Sequence, residues 1–231
     1  KGKKIDVVPA YKINNAEDMG SAVDRSVLHT KYIIKNLRKD RITEILLLKK
    51  FLKSNEIYGA QIKFEGLSGY LCELLILKYK TFLNTLKNAQ NWDEGEVLEL
   101  EKDYKKKEYD KLRKKFNCAL IFIDPTDKQR NVAAAFSLIN FTRFKKLAKK
   151  FLKKPAEEFF KGPKTFEQKL QVKAKINSKS YVVSFKKPQI NEDILWGQIK
   201  RFNRQLSSYL KSKDFIVKDI FSDLNENNNL V

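Results

Sequence analysis

The chain has 231 residues, 42% of them hydrophobic, with 48 Lys+Arg against 28 Asp+Glu for a net charge of +20. That apolar content supports a real core and excludes wholesale disorder, and no apolar run approaches the ~20 residues of a membrane-spanning helix. Two distant cysteines and one histidine argue against a zinc site, no signal peptide is visible, and the cationic surplus suits a polyanionic partner, nucleic acid first, against the blander reading of a solvated Lys-rich surface.

Cys72 and Cys118 lie in apolar contexts and read as buried free thiols, which fits a cytoplasmic protein. The sequence opens on Lys1 and ends in an Asn-rich tail, so it reads as a piece of a longer chain.

In chain order, residues 5–9 (Ile-Asp-Val-Val-Pro) read as a short strand stopped by Pro9. Residues 10–27 read as a connection. Helices are expected over 28–38 and 41–54, the second carrying Ile42, Ile45, Leu46, Leu48 and Leu52 at helical spacing. Gly66 to Gly69 open an apolar helix from Tyr70 to Tyr79, whose continuous hydrophobicity implies burial on most sides. A further helix spans 81–90.

Strands follow at 97–100 and 118–123. Between them the mixed-charge run over 102–115 reads as a solvated hairpin or helix. A long helix is expected over 131–153, and Gly162-Pro163 marks a boundary. Beyond it a strand at 181–185, a helix at 193–211 and a strand at 215–221 suggest a small α+β unit.

Several short segments can carry chemistry. Asp6, among β-branched residues, is placed as a metal ligand would be, although a lone strand Asp is more often solvent-facing. His29, the only histidine, follows Ala22-Val23-Asp24-Arg25-Ser26 and could donate to phosphate oxygens, or simply pack. Lys49 and Lys53 share a helical face ahead of Tyr58-Gly59-Ala60, and that face meets either phosphates or solvent. Gly66-Leu67-Ser68-Gly69 at a helix start leaves backbone N–H groups able to bind anions, or is a close-packed entry. Ile123-Asp124-Pro125-Thr126-Asp127 leads to Arg130-Asn131, which reads as a strand, a turn and then a helix whose start carries Arg130. An arginine there can bond a base edge or phosphates, and a capping turn is the alternative.

In this order and spacing the segments closely resemble archaeal (class I) CCA-adding enzymes. The resemblance runs through Asp-Val-Val-Pro-Ala-Tyr, Ser-Ala-Val-Asp-Arg-Ser with His29, Leu-Leu-Lys-Lys-Phe-Leu-Lys with Ile-Tyr-Gly-Ala, Gly-Leu-Ser-Gly-Tyr-Leu-Cys-Glu-Leu-Leu-Ile, and Ile-Asp-Pro-Thr-Asp with Arg-Asn-Val-Ala-Ala. It covers most of residues 5–161 and continues more faintly through Lys187-Pro188 and the helix after it.

The resemblance implies an α+β protein in three parts. Residues 1–27 would be the remnant of a polymerase-β-like nucleotidyltransferase head, 28–161 a mostly helical second domain, and 162–231 part of an α+β body that grips tRNA. It implies addition of C, C and A to the tRNA acceptor arm from CTP and ATP with Mg²⁺. Asp6 matches the family's third metal carboxylate, and His29, Lys49 and Tyr58 match contacts to the incoming nucleotide. Arg130 matches the arginine that helps read the base, while Ser26 stands where relatives usually have Thr.

The family's Gly-Ser helix start and first carboxylate pair lie upstream of Asp6. On the family pattern this chain is therefore expected to be inactive alone, as a fragment, a truncated product or half of a split enzyme. A homodimer or a separate head fragment is an expected partner, and a membrane is not. Two other readings remain, a poly(A) polymerase of the same superfamily and a non-catalytic RNA-binding module.

Overall fold

The structure is a computed structural model and describes residues 7–13, 18, 20, 23–174, 179–223 and 230. The fold is α+β, in two compact units. One comprises Lys1–Ala60 and Glu65–Lys161, the other Gln61–Phe64 and Gly162–Val231.

The first unit contains helices α1 (Arg25–Asn36), α2 (Ile42–Ser54), α3 (Gly69–Tyr79) and α4 (Phe82–Ala89). Strand β1 (Glu96–Leu98) follows, then α5 (Tyr109–Phe116), β2 (Leu120–Asp124), β3 (Asp127–Asn131) and α6 (Leu138–Lys153). The starts of α3, α4 and α6 coincide with side chains that accept an otherwise orphaned backbone N–H. Ser68 accepts from Leu71 N–H at 3.2 Å, Thr81 from Asn84 N–H at 3.1 Å and Ser137 from Asn140 N–H at 3.4 Å.

Helix α3 buries Leu71, Cys72, Leu74, Leu75, Ile76 and Leu77, the burial on most sides that its sequence implies. The core closes with Phe51, Phe82 and Phe151 stacked edge to face, at centroid distances of 5.4 to 5.6 Å.

The sheet order is β1-β2-β3, with β1 parallel to β2 and β2 antiparallel to β3. Every residue of β2 is buried because the strand has protein on both faces. Its alternate side chains divide between two cores. Leu120 and Phe122 face the main core, and Ile121 and Ile123 join Val97 and Leu112. That second, smaller core also takes Tyr104, Tyr109 and Phe116, so one side of the charged 102–115 run is packed.

In the second unit, α7 (Phe166–Ala174) and α8 (Glu192–Lys211) are the helices among the described residues. Leu195, Trp196 and Ile199 of α8 pack with Leu230. Lys63 lies 4.6 Å over the Trp196 ring, and Phe166 meets Phe221 at 5.6 Å.

Several sequence expectations need correction. The helix expected from 131 begins at Leu138, because Asn131 ends a strand instead of opening a helix. Its buried amide accepts from Phe122 N–H and Ala133 N–H and donates to Leu120 O, which stitches the chain to β2. The strand expected at 181–185 is reduced to one bridge, Phe185 with Leu230, and 215–221 carries no strand. Residues 7–9 are not a strand, and Ile5 and Asp6 lie outside the described residues. The helix expected over 28–38 is α1 and begins three residues earlier, at Arg25, while α7, from Phe166, was not expected.

Candidate nucleotide site at the start of α3

Two clusters of side chains meet at the first turn of α3. The first is built on Asp124, the last residue of β2. Its side chain is fully buried (0% exposed), which is costly for a carboxylate unless its oxygens are satisfied. They are. Oδ1 accepts from Thr126 N–H at 2.9 Å, Thr126 Oγ1 at 2.8 Å and Tyr70 OH at 3.3 Å. Oδ2 accepts from Arg130 Nη1 at 2.7 Å and lies 2.9 Å from His29 Nε2.

The donors come from four places: α1, α3, the β2–β3 turn and β3. The β2–β3 register slips between Ile123 and Asp124, just where Arg130 comes back onto the carboxylate. The His29 ring stacks on Tyr70, with centroids 3.7 Å apart and planes 12° from parallel. Burial alone would raise the Asp124 carboxyl. The hydrogen bond from His29, the Thr126 N–H, the His29 charge and the Arg130 bond outweigh burial and hold the carboxyl well below the usual range.

The second cluster is built on Lys49 of α2, whose Nζ donates to Glu73 of α3 at 2.8 Å. Burial works against the Lys49 ammonium, but the Glu73 bond and charge prevail, so its pKa is raised and it stays charged. Burial pushes the Tyr58 phenol up more than Lys49 pulls it down, so Tyr58 keeps its proton as a donor. Lys53 lies 4.9 Å over the Tyr58 ring.

Gly69 opens α3 between these groups. A Cβ there would meet the Tyr58 hydroxyl at 3.1 Å and Lys49 Nζ at 3.7 Å. An ammonium and a phenol thus stand beside Gly69 at the N-terminus of α3, whose dipole also favours negative charge, and an imidazole with a guanidinium beside it stacks on the next residue, Tyr70. The array can hold a polyphosphate. It holds no metal by itself. Among the described residues no group of three or more His, Cys, Asp or Glu could bind one, and Asp124 and Glu73 are committed to protein donors. The described residues do not fit Mg²⁺.

Of the residues singled out from sequence, His29 and Arg130 come together on Asp124, and Lys49 and Tyr58 come together beside Gly69. Asp6 lies outside the described residues. Arg130 sits on β3 and not at a helix start, because its neighbour Asn131 is tied to β2. Sequence reasoning passed over Asp124, Tyr70 and Glu73 as members of the site. The available signal was an Asp closing the wholly apolar run Leu120-Ile121-Phe122-Ile123.

Residues 43–161 match the family described as tRNA nucleotidyltransferase, second domain. The chain belongs to the tRNA nucleotidyltransferase family. Residues 177–229 match a second description, CCA-adding enzyme, C-terminal domain. Similar curated proteins include the CCA-adding enzyme of Methanocaldococcus jannaschii, 41% identical over 94% of this chain and 48% of the relative. Those of Methanococcus maripaludis and Archaeoglobus fulgidus are 40% and 38% identical, over 91% and 94% of this chain and 48% of each relative. The chain spans about half the length of the curated relatives it matches. Among its described residues no helix is long and apolar enough to cross a membrane.

Proposed function

We propose that this chain is the nucleotide-holding and tRNA-gripping portion of a CCA-adding enzyme. The observation that carries this reading is the grouping of Lys49 and Tyr58 beside Gly69 and of His29 and Arg130 on Asp124, with the His29 ring stacked on Tyr70 of the same first turn of α3. In the reaction, the 3′ hydroxyl of tRNA attacks the α-phosphate of CTP or ATP and releases pyrophosphate. Lys49 neutralises triphosphate charge, as phosphoryl transfer requires, and Tyr58 and His29 help to orient the nucleotide. Arg130 contributes to reading the base. Asp6 is the carboxylate we assign to Mg²⁺, with the rest of the metal cage outside this sequence.

On this reading residues 1–27 belong to a polymerase-β-like head, 28–161 form the second domain and 162–231 belong to the tRNA-binding body. The net charge of +20 supports a grip on the A-form acceptor stem through its backbone. The protein acts in the cytoplasm, with a second copy or a separate head fragment as partner. Alone, this chain binds nucleotide without transferring it.

The test is nucleotide addition to a tRNA lacking its CCA end, by this chain mixed with a head fragment supplying a Gly-Ser helix start and a carboxylate pair. Addition of C, C and A that disappears with Asp6→Ala supports the reading. Addition of A alone supports a poly(A) polymerase, and tRNA binding without addition supports a non-catalytic RNA-binding module.

A further inference from the structure

The His29–Asp124 contact joins residues 95 positions apart in sequence, and its chemistry is more constrained than distance alone suggests. An ionised carboxylate only accepts hydrogen bonds. Asp124 is held ionised, and His29 Nε2 lies 2.9 Å from its Oδ2. Nε2 must therefore carry a proton. The competing arrangement has Arg130 donating to a bare Nε2. That contact is 3.5 Å long, while Arg130 Nη1 reaches Asp124 at 2.7 Å. Both donors point at one oxygen, and the Tyr70 ring fixes the imidazole plane from below.

We infer that Asp124 is a positioning residue, which fixes His29 as the Nε2–H form and sets Arg130 beside it, leaving His29 Nδ1 as the ring atom presented to the nucleotide. The inference rests on the nucleotide-site reading given above and adds a residue to it. Asp124 itself has no capacity left for ligand. Its oxygens take bonds from Thr126, Tyr70, His29 and Arg130. Its effect passes through the two side chains it holds. Second partners of this kind are what usually decide a histidine's tautomer.

The sequence makes the test direct, because His29 is its only histidine. Long-range ¹H–¹⁵N spectra of the ¹⁵N-labelled chain, at about pH 8 where an ordinary imidazole is neutral, give one pair of ring nitrogens. Nε2 is expected to read as protonated and Nδ1 as bare. A wild-type spectrum with Nε2 bare overturns the inference without any variant.

Asp124→Asn keeps the shape and removes the charge. It should mix the two tautomers and weaken CTP binding, measured by calorimetry, about tenfold, the low end for losing a partner that orients a binding histidine. In the His29→Ala background the same change should cost less. A folded Asp124→Asn chain with the wild-type ¹⁵N pattern and wild-type CTP affinity overturns the inference, while His29→Ala and Arg130→Ala still weaken CTP binding. If His29→Ala and Arg130→Ala leave CTP affinity unchanged, the nucleotide-site reading itself has failed. The spectra separate that failure from the other.

Discussion

Gly66→Ala should be severe, and its cost can be worked from three hydrogen bonds. Gly59 N–H donates to Leu67 O at 2.8 Å, Gly66 N–H to Gly59 O at 2.8 Å and Leu67 N–H to Ile57 O at 2.9 Å. A Cβ on Gly66 would stand 2.1 Å from the Ile57 carbonyl oxygen and 2.4 Å from its carbon. Backbone cannot swing aside as a side-chain tip can, so the Ile57 carbonyl must leave Leu67 N–H. Both Ile57 and Leu67 are fully buried. Stranding a buried polar group costs about 1–3 kcal/mol, and overpacking adds about 1–3 kcal/mol. We expect a loss of roughly 2–6 kcal/mol, which at about 2–4 °C per kcal/mol lowers the melting temperature by about 4–24 °C for a unit of this size. Thermal unfolding followed by far-UV circular dichroism reads it. Gly197→Ala is the contrast. That glycine lies inside α8 with nothing within 4 Å of a new Cβ, so the change should stabilise by about 0.5–1 kcal/mol. A Gly66→Ala chain that melts with the wild type would refute the reasoning.

Gly69→Ala should leave the melting temperature nearly unchanged while weakening CTP binding in calorimetry. Its methyl presses on the Tyr58 hydroxyl and touches Lys49 Nζ at ordinary contact distance, and not the backbone. Asp124 has a depressed carboxyl in the folded chain, so its contribution to stability is present above the ordinary Asp value of about 4 and is lost as pH falls below it. Denaturant titrations should show stability falling more steeply between pH values of about 4 and 2 for wild type than for Asp124→Asn. Burial pushes the Cys72 thiol up to about 12, so a thiol reagent at neutral pH should modify the half-buried Cys118 in the native chain. Cys72 should react only on unfolding, and its early labelling would contradict the burial argument.

The helical framework was legible because its signals are local. Leu48 and Leu52 repeat at helical spacing, Ser68 and Thr81 sit at the caps, and α3 is apolar on most sides. β3 was hidden because Asp-Lys-Gln-Arg-Asn lacks apolar alternation, and its pairing depends on the Asn131 amide reaching β2. The strands expected at 181–185 and 215–221 had suitable side chains but found no ladder, since strand pairing depends on context more than on propensity. In the site, Lys49 and Tyr58 could be picked out by their motif. Asp124 could not be given its place, because its partners His29 and Tyr70 stand 95 and 54 residues away. A buried carboxylate is read from what surrounds it, and sequence spacing does not carry that.

The central claim is that the first turn of α3 holds the nucleotide, and amide and side-chain NMR during a CTP titration tests it most directly. Progressive shifts are expected at His29, Tyr58, Gly69 and Arg130, mirrored by ATP and suppressed in Lys49→Ala. Shifts confined to α6 or α8, or a titration in which those four residues stay still while CTP binds, would contradict it.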